Sequence, residues 1–370
     1  MWRVLVTVIA LMVLSPVASA ADACRNPWFL WSEFKRNYIQ ADGRVIDDFE
    51  GKAITTSEGQ AYALFFALVA NDKEQFDLIY RWTVNNLMRG DVKTFLPAWK
   101  WGKDEQSGTW KALDYNSASD ADVWIAYSLF QAGDIWKSAP YRKAAFQMLA
   151  NMEHRELADM PGIGWMLLPA PYGYALSSSN WRLNPSYLPI QVLRYFSKAS
   201  PAGPWGDVTT NTLQMLQEVA RNGVIPDWVS YSVAKGYAPD SEMGRFSSYE
   251  AIRVYLWWAM LDQADPAFKQ LQPQMGAISQ FRPDAGKLPE RISTQGGANE
   301  GVAPDGFVGA LAPYRWVLYK HKDTQVPKIV PTNQYYSSVL KLFGYGWVDG
   351  RFQFHRDGSL STRVSKLCSN

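Results

Sequence analysis

Three segments of the sequence place acidic residues where a helix could begin. They span Thr56–Gln60, Ala118–Asp122 and Ser247–Glu250, and the acids among them are Glu58, Asp120, Asp122 and Glu250. Two carboxyl groups on one face of a protein can hydrolyse a glycosidic bond, because one protonates the leaving oxygen while the other activates a water molecule. If alternate helices form an inner ring, their N-termini share one face, and these acids would converge on one cleft.

Helix capping explains the same residues without any chemistry. Segments 57–60 and 247–250 fit the Ser-x-x-Glu/Gln capping box, and acids near a helix N-terminus are stabilised by the helix dipole. Asp122 together with Ser119 fits a polar cap, and we prefer that interpretation for it. The dipole also lowers the pKa of a carboxyl group, whereas a general acid needs a raised pKa. A catalytic acid at such a position therefore requires burial or a neighbouring acid.

Other catalytic and cofactor-binding patterns are missing from the sequence. His154, His321 and His355 are its only histidines, none of them in a zinc-ligand spacing, and there is no Cys-x-x-Cys pair. The nucleophile elbow of serine hydrolases and the glycine-rich phosphate loops are also absent. We therefore expect neither a metal nor an organic cofactor, and carboxyl groups remain as the reactive groups.

Helical periodicity dominates the chain, with apolar residues recurring at intervals of three and four. Consecutive helices without alternating strands argue against a parallel α/β sheet. They favour an all-α fold of helical hairpins, arranged as an open solenoid or a closed toroid. The predicted helices are Ser57–Asn71, Glu74–Met88, Ser119–Ala132, Tyr141–Met152, Pro185–Lys198, Val208–Arg221, Ser247–Leu261, Pro266–Gln280, Gly301–Leu311 and Gln334–Phe343.

The first twenty residues are typical of a signal peptide. Arg3 supplies the positive start, Val4–Leu14 is apolar, and Ala18–Ala20 fits the cleavage signal. We therefore expect residues 1–20 to be removed and the protein to reach the periplasm or the medium. No later apolar stretch is long enough to anchor it in a membrane. No linker-like composition divides residues 21–370, so a single domain is expected there.

Cys24 and Cys368 lie at opposite ends of the mature chain. In an oxidising compartment a disulfide between them is the expected pairing, which would bring the two ends together and favour a closed toroid. Two free thiols are the alternative.

The charge of the chain argues against some classes of binding partner, and its aromatic content is compatible with carbohydrate. The chain has 37 Lys and Arg against 35 Asp and Glu, which gives no electrostatic reason for binding nucleic acid or an anionic membrane. Its 17 Trp, 19 Tyr and 17 Phe are more than a core needs, and aromatic faces stack well on sugar rings. An aromatic-rich core explains the same numbers.

The run Ala118–Trp136 resembles the signature of glycoside hydrolase family 8, A-[ST]-D-[AG]-D-x-x-[IM]-A. The resemblance implies an (α/α)6 barrel of six helical hairpins, an inverting mechanism and β-1,4-glucan (cellulose) as the substrate. It is strongest to the branch encoded with bacterial cellulose synthase, which implies a functional association with the cellulose synthase machinery. Other matching segments follow in order along the chain: Ile54–Gln60, Leu96–Trp99, Asn184–Pro189, Pro226–Trp228 and Ser247–Tyr255.

The resemblance also implies roles for individual residues. Glu58 matches the general acid, and Asp120 matches an acid that holds the sugar in a distorted shape at the cleavage point. Glu250 stands at the position of the catalytic base. The residues implied to line the cleft or to accompany the base are Trp99, Tyr187, Trp228, Tyr249 and Arg253.

The sequence departs from the family pattern at the base itself. The family has Tyr-Asp-Ala-x-Arg where this chain has a glutamate, Glu250. The extra methylene moves the carboxylate by roughly one bond length, and a misplacement of ~1 Å can cost ~100-fold in rate. An inverting site separates its carboxyls by about 6.5–9.5 Å, which leaves some slack. Asp227 and Asp122 are lower-ranked candidates for the base.

Two alternatives to an active glucanase follow. The chain could be a glucan-binding protein whose catalysis is impaired by Glu250, or a family relative that acts on xylan or chitosan. Released reducing ends would distinguish the first alternative, and a panel of polysaccharides the second.

Overall fold

Helical hairpins joined by short strands make up the fold. A computed structural model describes residues 28–47, 51–220, 223–280, 288–319 and 334–363. The predicted signal peptide, Cys24 and Cys368 lie outside the described residues. The helices are α1 (Phe29–Tyr38), α2 (Ser57–Val69), α3 (Lys73–Leu87), α4 (Ser119–Ile135), α5 (Ala139–Arg155), α6 (Ile190–Ala199), α7 (Trp205–Val219), α8 (Ala251–Ala259), α9 (Pro266–Leu271), α10 (Asp305–Ala310), α11 (Ala312–Tyr319) and α12 (Tyr335–Val348).

Helices buried all round alternate along the chain with helices buried on one side. In α2 every residue except Glu58 is buried, and α8 is buried along its whole length. By contrast, α3 buries mainly one stripe, including Phe76, Ile79 and Trp82. A helix that is apolar all round belongs in an interior, whereas an amphipathic helix lies at a surface. The alternation therefore gives an inner ring and an outer ring, which is the predicted (α/α)6 barrel.

Aromatic side chains close the inner ring. The Phe65 ring of α2 lies 4.9 Å from Trp124 of α4, which lies 5.1 Å from Trp257 of α8. Trp257 lies 5.0 Å from Phe343 of α12, and Phe343 returns to Phe65 at 5.4 Å. Each such pair contributes about 0.5–1.5 kcal/mol beyond its buried area. Four inner helices are thus fixed to one another at the centre, and their N-terminal ends share one face.

Short antiparallel strands decorate the helix ends. Their bounds are β1 (Thr55–Thr56), β2 (Lys100–Lys103), β3 (Trp110–Asp114), β4 (Leu157–Met160), β5 (Gly164–Leu167), β6 (Ala175–Ser177), β7 (Asn180–Leu183), β8 (Val229–Ser232), β9 (Gly236–Pro239), β10 (Phe246–Ser247), β11 (Ile292–Ser293), β12 (Phe352–Phe354) and β13 (Leu360–Thr362). Their pairing gives a three-stranded sheet in the order β1-β2-β3, a four-stranded sheet in the order β6-β7-β8-β9, and the two-stranded pairs β4-β5, β10-β11 and β12-β13.

Most predicted helices are confirmed to within a few residues, but three begin later than predicted. The predicted Gly301–Leu311 begins at Asp305, and the predicted Pro266–Gln280 is an α-helix only to Leu271, where a 3-10 helix, Gln272–Gln280, takes over. The predicted Pro185–Lys198 is a 3-10 turn, Pro185–Tyr187, followed by α6. Leu188 precedes a proline and has φ −119° and ψ 60°, outside the helical region, as the proline ring requires. The predicted Ser247–Leu261 begins only at Ala251, because Ser247 pairs with Ile292 between β10 and β11. Helices α1 and α11 and the strands were not predicted.

Both predicted capping boxes are wrong. The cap of α2 is Thr56, whose hydroxyl accepts the Gly59 N–H at 3.1 Å. The Gln60 amide instead accepts from Val45 N at 2.6 Å and donates to the Thr83 hydroxyl at 2.9 Å, so it ties α2 to its neighbours.

No helix within the described residues is long and apolar enough to cross a membrane.

Candidate active site

One buried arginine brings together the acids of three inner helices. Arg253 Nη1 donates to Glu58 Oε2 at 2.6 Å and lies 3.4 Å from Asp120 Oδ2. Its Nη2 donates to Glu250 Oε2. The side chains of Arg253 and Asp120 are 3% exposed, whereas those of Glu58 and Glu250 are 23% and 28% exposed. The four predicted residues therefore form one cluster whose two glutamates reach solvent.

Local backbone contacts hold the first two acids at the ends of their helices. Thr56 caps α2, and the Ser57 N–H donates to the Trp99 carbonyl at 3.0 Å, which fixes the turn before Glu58. Asp120 lies in the first turn of α4, where its Oδ1 accepts the Ala121 N–H at 2.8 Å.

Asp120 and Glu58 form a carboxyl pair. Burial raises the pKa of Asp120 well above its usual value, and the neighbouring Glu58 carboxyl raises it further, whereas Arg253 lowers it. A hydrogen bond between the two carboxyl groups accompanies this shift. Two carboxylates in contact cannot both be charged at low cost, so Asp120 retains its proton into a higher pH range than a free carboxyl would.

The Glu250 carboxylate is anchored through one of its oxygens. Oε2 accepts from Asn184 Nδ2 at 3.1 Å, from Ser186 Oγ at 3.1 Å and from Arg253 Nη2. No described residue donates a hydrogen bond to Oε1. Glu250 therefore presents a fixed carboxylate with one oxygen available. Sequence reasoning missed Asn184 and Ser186, although both lie in the matched segment Asn184–Pro189.

Both carboxylate oxygens of Asp227 are hydrogen-bonded to the turn that leads into α8. Its Oδ1 accepts the backbone N–H groups of Ser248 at 2.7 Å and Ala251 at 2.8 Å, and its Oδ2 accepts the Ser248 hydroxyl. Burial raises its pKa to about 6, while these hydrogen bonds lower it and Glu250 raises it. With both oxygens engaged, Asp227 positions the turn that carries Glu250 and does not replace it as the base.

The interpretation of Asp122 as a helix cap is wrong. Its carboxyl is fully buried, and neither oxygen accepts a hydrogen bond from the α4 N-terminus. It lies instead beside Glu156, which accepts the Ser117 hydroxyl at 2.6 Å. Burial raises the pKa of Glu156 to about 7, and burial and Glu156 together raise that of Asp122. Such a buried pair cannot meet a substrate, so Asp122 is also excluded as the base.

The predicted aromatic residues differ in how they meet this cluster. The Tyr187 ring lies 5.8 Å from the Arg253 guanidinium, and its centroid is 6.1 Å from that of Trp228. Trp228 is only 8% exposed and stacks on Tyr174. The two ring centroids are 5.7 Å apart and the ring planes are 3° from parallel. Tyr174 was not predicted. This trio forms one wall beside Arg253.

Tyr249 and Trp99 are placed differently from that wall. The Tyr249 hydroxyl donates to Glu290 at 2.8 Å, so its side chain is bonded to a residue outside the acid cluster. Trp99 adjoins Glu58 through its backbone carbonyl and is half-buried.

Two further tyrosines lie within the cluster. The Tyr62 hydroxyl accepts from Arg253 Nη1 at 3.0 Å, and Tyr336 donates to the Tyr249 carbonyl at 2.5 Å. Burial raises the pKa of Tyr336, and the charges of Glu58 and Glu250 add to the shift. Both were missed, because a tyrosine in a helix pattern resembles any core aromatic.

Among the described residues no group of three or more His, Cys, Asp or Glu could hold a metal ion.

Comparison with known proteins gives the following similarities. The model of Glycosyl hydrolases family 8 matches residues 1–350. The chain is 42% identical over 357 residues to an endoglucanase of Xanthomonas axonopodis pv. citri, covering 94% of this chain and 92% of that protein. It is 40% identical over 363 residues to an endoglucanase of Salmonella typhi, covering 97% of each.

Solved structures extend the similarity to the fold. The crystal structure of an endo-1,4-D-glucanase from Vibrio fischeri ES114 matches with a TM-score of 0.85 at 37% identity, covering 91% of this chain and 99% of that one. An endo-β-1,4-glucanase from Acetobacter xylinum has the same fold, with a TM-score of 0.74 at 24% identity, over 90% and 99% of the two chains.

Proposed function

This chain belongs to glycosyl hydrolase family 8, and from that premise we propose that it cuts β-1,4-glucan chains internally, with inversion at the anomeric carbon. The observation that carries the proposal is the cluster in which Arg253 joins Glu58, Asp120 and Glu250. The two partly exposed glutamates supply the acid and the base, and the endoglucanase relatives support the choice of substrate.

The acid side of the reaction belongs to Glu58. The Glu58 carboxyl gives its proton to the glycosidic oxygen as the bond from that oxygen to the anomeric carbon breaks. Arg253 Nη1, at 2.6 Å from Glu58 Oε2, then stabilises the carboxylate that remains. The buried carboxyl of Asp120 stays close to the cleavage point, where we assign it the role of holding the distorted sugar.

The base side belongs to Glu250. Its Oε1 accepts a proton from a water molecule, whose oxygen attacks the anomeric carbon from the face opposite the leaving group. The products are a chain with a free reducing end of inverted configuration and a chain that ends in a new hydroxyl. The proton on Glu250 and the proton lost by Glu58 are then exchanged with solvent. Three donors on Oε2 keep this glutamate fixed in spite of its extra methylene.

The biological setting is part of the same proposal. We assign residues 1–20 to a removed signal peptide, residues 21–370 to the catalytic domain, and the periplasm or the medium as the location. On the basis of the family resemblance described above, we also assign this protein a functional association with the cellulose synthase machinery. N-terminal sequencing of the exported protein tests the first of these, because a start at Ala21 is expected and a retained Met1 would contradict it. Thiol titration of the same sample tests the Cys24–Cys368 disulfide, for which no free thiol is expected.

The reaction is tested with carboxymethyl-cellulose and cello-oligosaccharides. The native chain should lower the viscosity of the polymer early, as an endo-acting enzyme does, and proton NMR should detect first the α-anomer released from a β-linked substrate. Glu58→Gln should abolish turnover and retain binding of a cello-oligosaccharide. An unchanged rate in Glu58→Gln would overturn the assignment of the acid. Turnover of xylan or chitosan in place of glucan would overturn the substrate.

A further inference from the structure

A tryptophan stack stands on the three-stranded sheet that leads to α2. The Trp110 ring, on β3, stacks on Trp101 of β2 with centroids 5.1 Å apart and planes 20° from parallel. Trp82, on α3, meets Trp101 edge-on at 5.3 Å. Trp110 nevertheless remains 47% exposed. A large aromatic side chain is therefore held by other aromatics and still presented to solvent.

A buried arginine fixes this stack in place. The Arg44 guanidinium lies 4.4 Å from the Trp101 ring centroid and 4.7 Å from that of Trp110. Its Nε donates to the Thr55 hydroxyl at 2.8 Å, and Nη2 donates to the Ala53 carbonyl. Cation–π contacts are stronger when they are desolvated, and Arg44 is only 6% exposed. The platform is thus preorganised, which reduces the entropy lost when a ligand binds.

Hydrogen-bonding groups surround the exposed tryptophan. A cavity of about 560 Å³ is lined by Trp110 together with Gln40, Asp42, Asn85 and Asn86. A second cavity of about 990 Å³ is also lined by Trp110, and it adds Gln106 and lysine side chains. Neither cavity includes Glu58, Asp120, Glu250 or Arg253. Trp110 therefore stands between two polar cavities outside the acid cluster.

We propose that Trp110, Trp101 and the flanking cavities form a second carbohydrate-binding surface, which holds a β-1,4-glucan chain outside the catalytic cluster. The choice of glucan rests on the proposed function. The chemistry is that of sugar recognition, in which the apolar face of a sugar ring stacks on the indole while amides and carboxylates bond its hydroxyls. Charges of both signs surround Trp110, as in the pairs Lys111–Asp104 and Lys52–Glu105, and this disfavours a polyanion.

The sheet connects this surface to the acid cluster. Trp101 pairs with Thr55 across β2 and β1, and the Trp99 carbonyl accepts the N–H of Ser57, the residue before Glu58. A long glucan held at Trp110 is thereby kept near the cleavage point, which raises its effective concentration there. Short oligosaccharides cannot reach Trp110 and the cleavage point at the same time, so their effective concentration at the cleavage point is not raised. The surface should therefore favour long chains.

The test compares Trp110→Ala with Trp165→Ala, a matched control in which an exposed tryptophan of another hairpin is removed. Binding to hydroxyethyl-cellulose is measured by retardation in affinity electrophoresis, with Glu58→Gln in every protein so that the polymer is not consumed. Trp110→Ala should weaken the apparent affinity by about 2- to 10-fold, the range expected for one aromatic contact. Trp110→Phe should restore most of it, and Trp165→Ala should match the parent.

The same substitutions in the active protein separate this inference from the proposed function. Trp110→Ala should keep kcat/KM on a short cello-oligosaccharide, which also shows that it is folded, and lose rate on the polymer. Unchanged polymer affinity in Trp110→Ala, or an equal loss in Trp165→Ala, would overturn the second surface while leaving the hydrolase intact. Failure of the native chain to bind or cut any glucan would overturn both.

Discussion

Asn184 gives the sharpest test of how Glu250 is held. Its Nδ2 donates to Glu250 Oε2 at 3.1 Å, and its Oδ1 accepts the Ser186 N–H at 2.9 Å and lies 2.7 Å from the Ser186 hydroxyl oxygen. Removing a hydrogen bond to a charged group costs about 1.5–3 kcal/mol, which corresponds to roughly 10- to 150-fold in rate when the loss falls on the transition state. We therefore expect Asn184→Ala to lower kcat within that range and to change KM little.

Asn184→Asp separates the two bonds that this side chain makes. Aspartate keeps an oxygen for the Ser186 N–H but offers a charged acceptor where Glu250 needs a donor. Initial rates on a soluble cello-oligosaccharide, with KM for each variant, are the measurement, and thermal unfolding is the control for the fold. We expect Asn184→Asp to be at least as slow as Asn184→Ala. Near-native kcat in Asn184→Asp would mean that Asn184 only shapes the turn, and the anchoring of Glu250 would be refuted.

Two further predictions concern stability. The pKa of Glu156 is raised to about 7 by burial, so its contribution to stability is full below its unfolded value of 4.5 and is lost as the pH rises through about 7. Glu156→Gln should flatten this dependence between pH 5 and 8, as measured by thermal unfolding, and an unchanged slope would contradict the assignment. Gly344 packs α12 against α10 so closely that an added Cβ would lie 1.8 Å from the Gly309 carbonyl oxygen. Gly344→Ala should therefore destabilise the fold by about 1–3 kcal/mol or more in urea unfolding. An alanine at Gly276, an exposed residue of the 3-10 helix Gln272–Gln280 whose added Cβ would meet nothing within 4 Å, should cost little.

Residue patterns were enough to predict the helices and the acids at their N-termini. Glu58, Asp120 and Glu250 are separated by up to 192 positions in sequence, yet all three meet at Arg253 because inner helices begin on one face. The alternation of helices that are apolar all round with amphipathic helices carries that information, since it assigns each helix to the inner or the outer ring.

The remaining features depend on contacts between distant segments. Ser247 was expected to cap a helix, but its pairing with Ile292 holds it in a strand, and Asp227 meets the helix start instead. Asp122 lies next to Glu156, the residue directly after α5, and no local pattern reveals this contact. Asn184 and Ser186 are ordinary turn residues until the fold brings them to Glu250. Such long-range polar contacts set the chemistry of the site, and local propensity does not determine them.

The assignment of Glu250 as the catalytic base is the central claim, and one measurement tests it directly. The measurement is the release of reducing ends from carboxymethyl-cellulose by the native chain, Glu250→Gln and Glu250→Asp, together with cello-oligosaccharide binding by each. We predict that the native chain is active and that Glu250→Gln binds as well but is slower by about 10²–10⁴, the usual contribution of a general base. A native-like rate in Glu250→Gln would contradict the assignment of the base. A silent native chain beside an active Glu250→Asp would show that this protein binds glucan without cutting it efficiently.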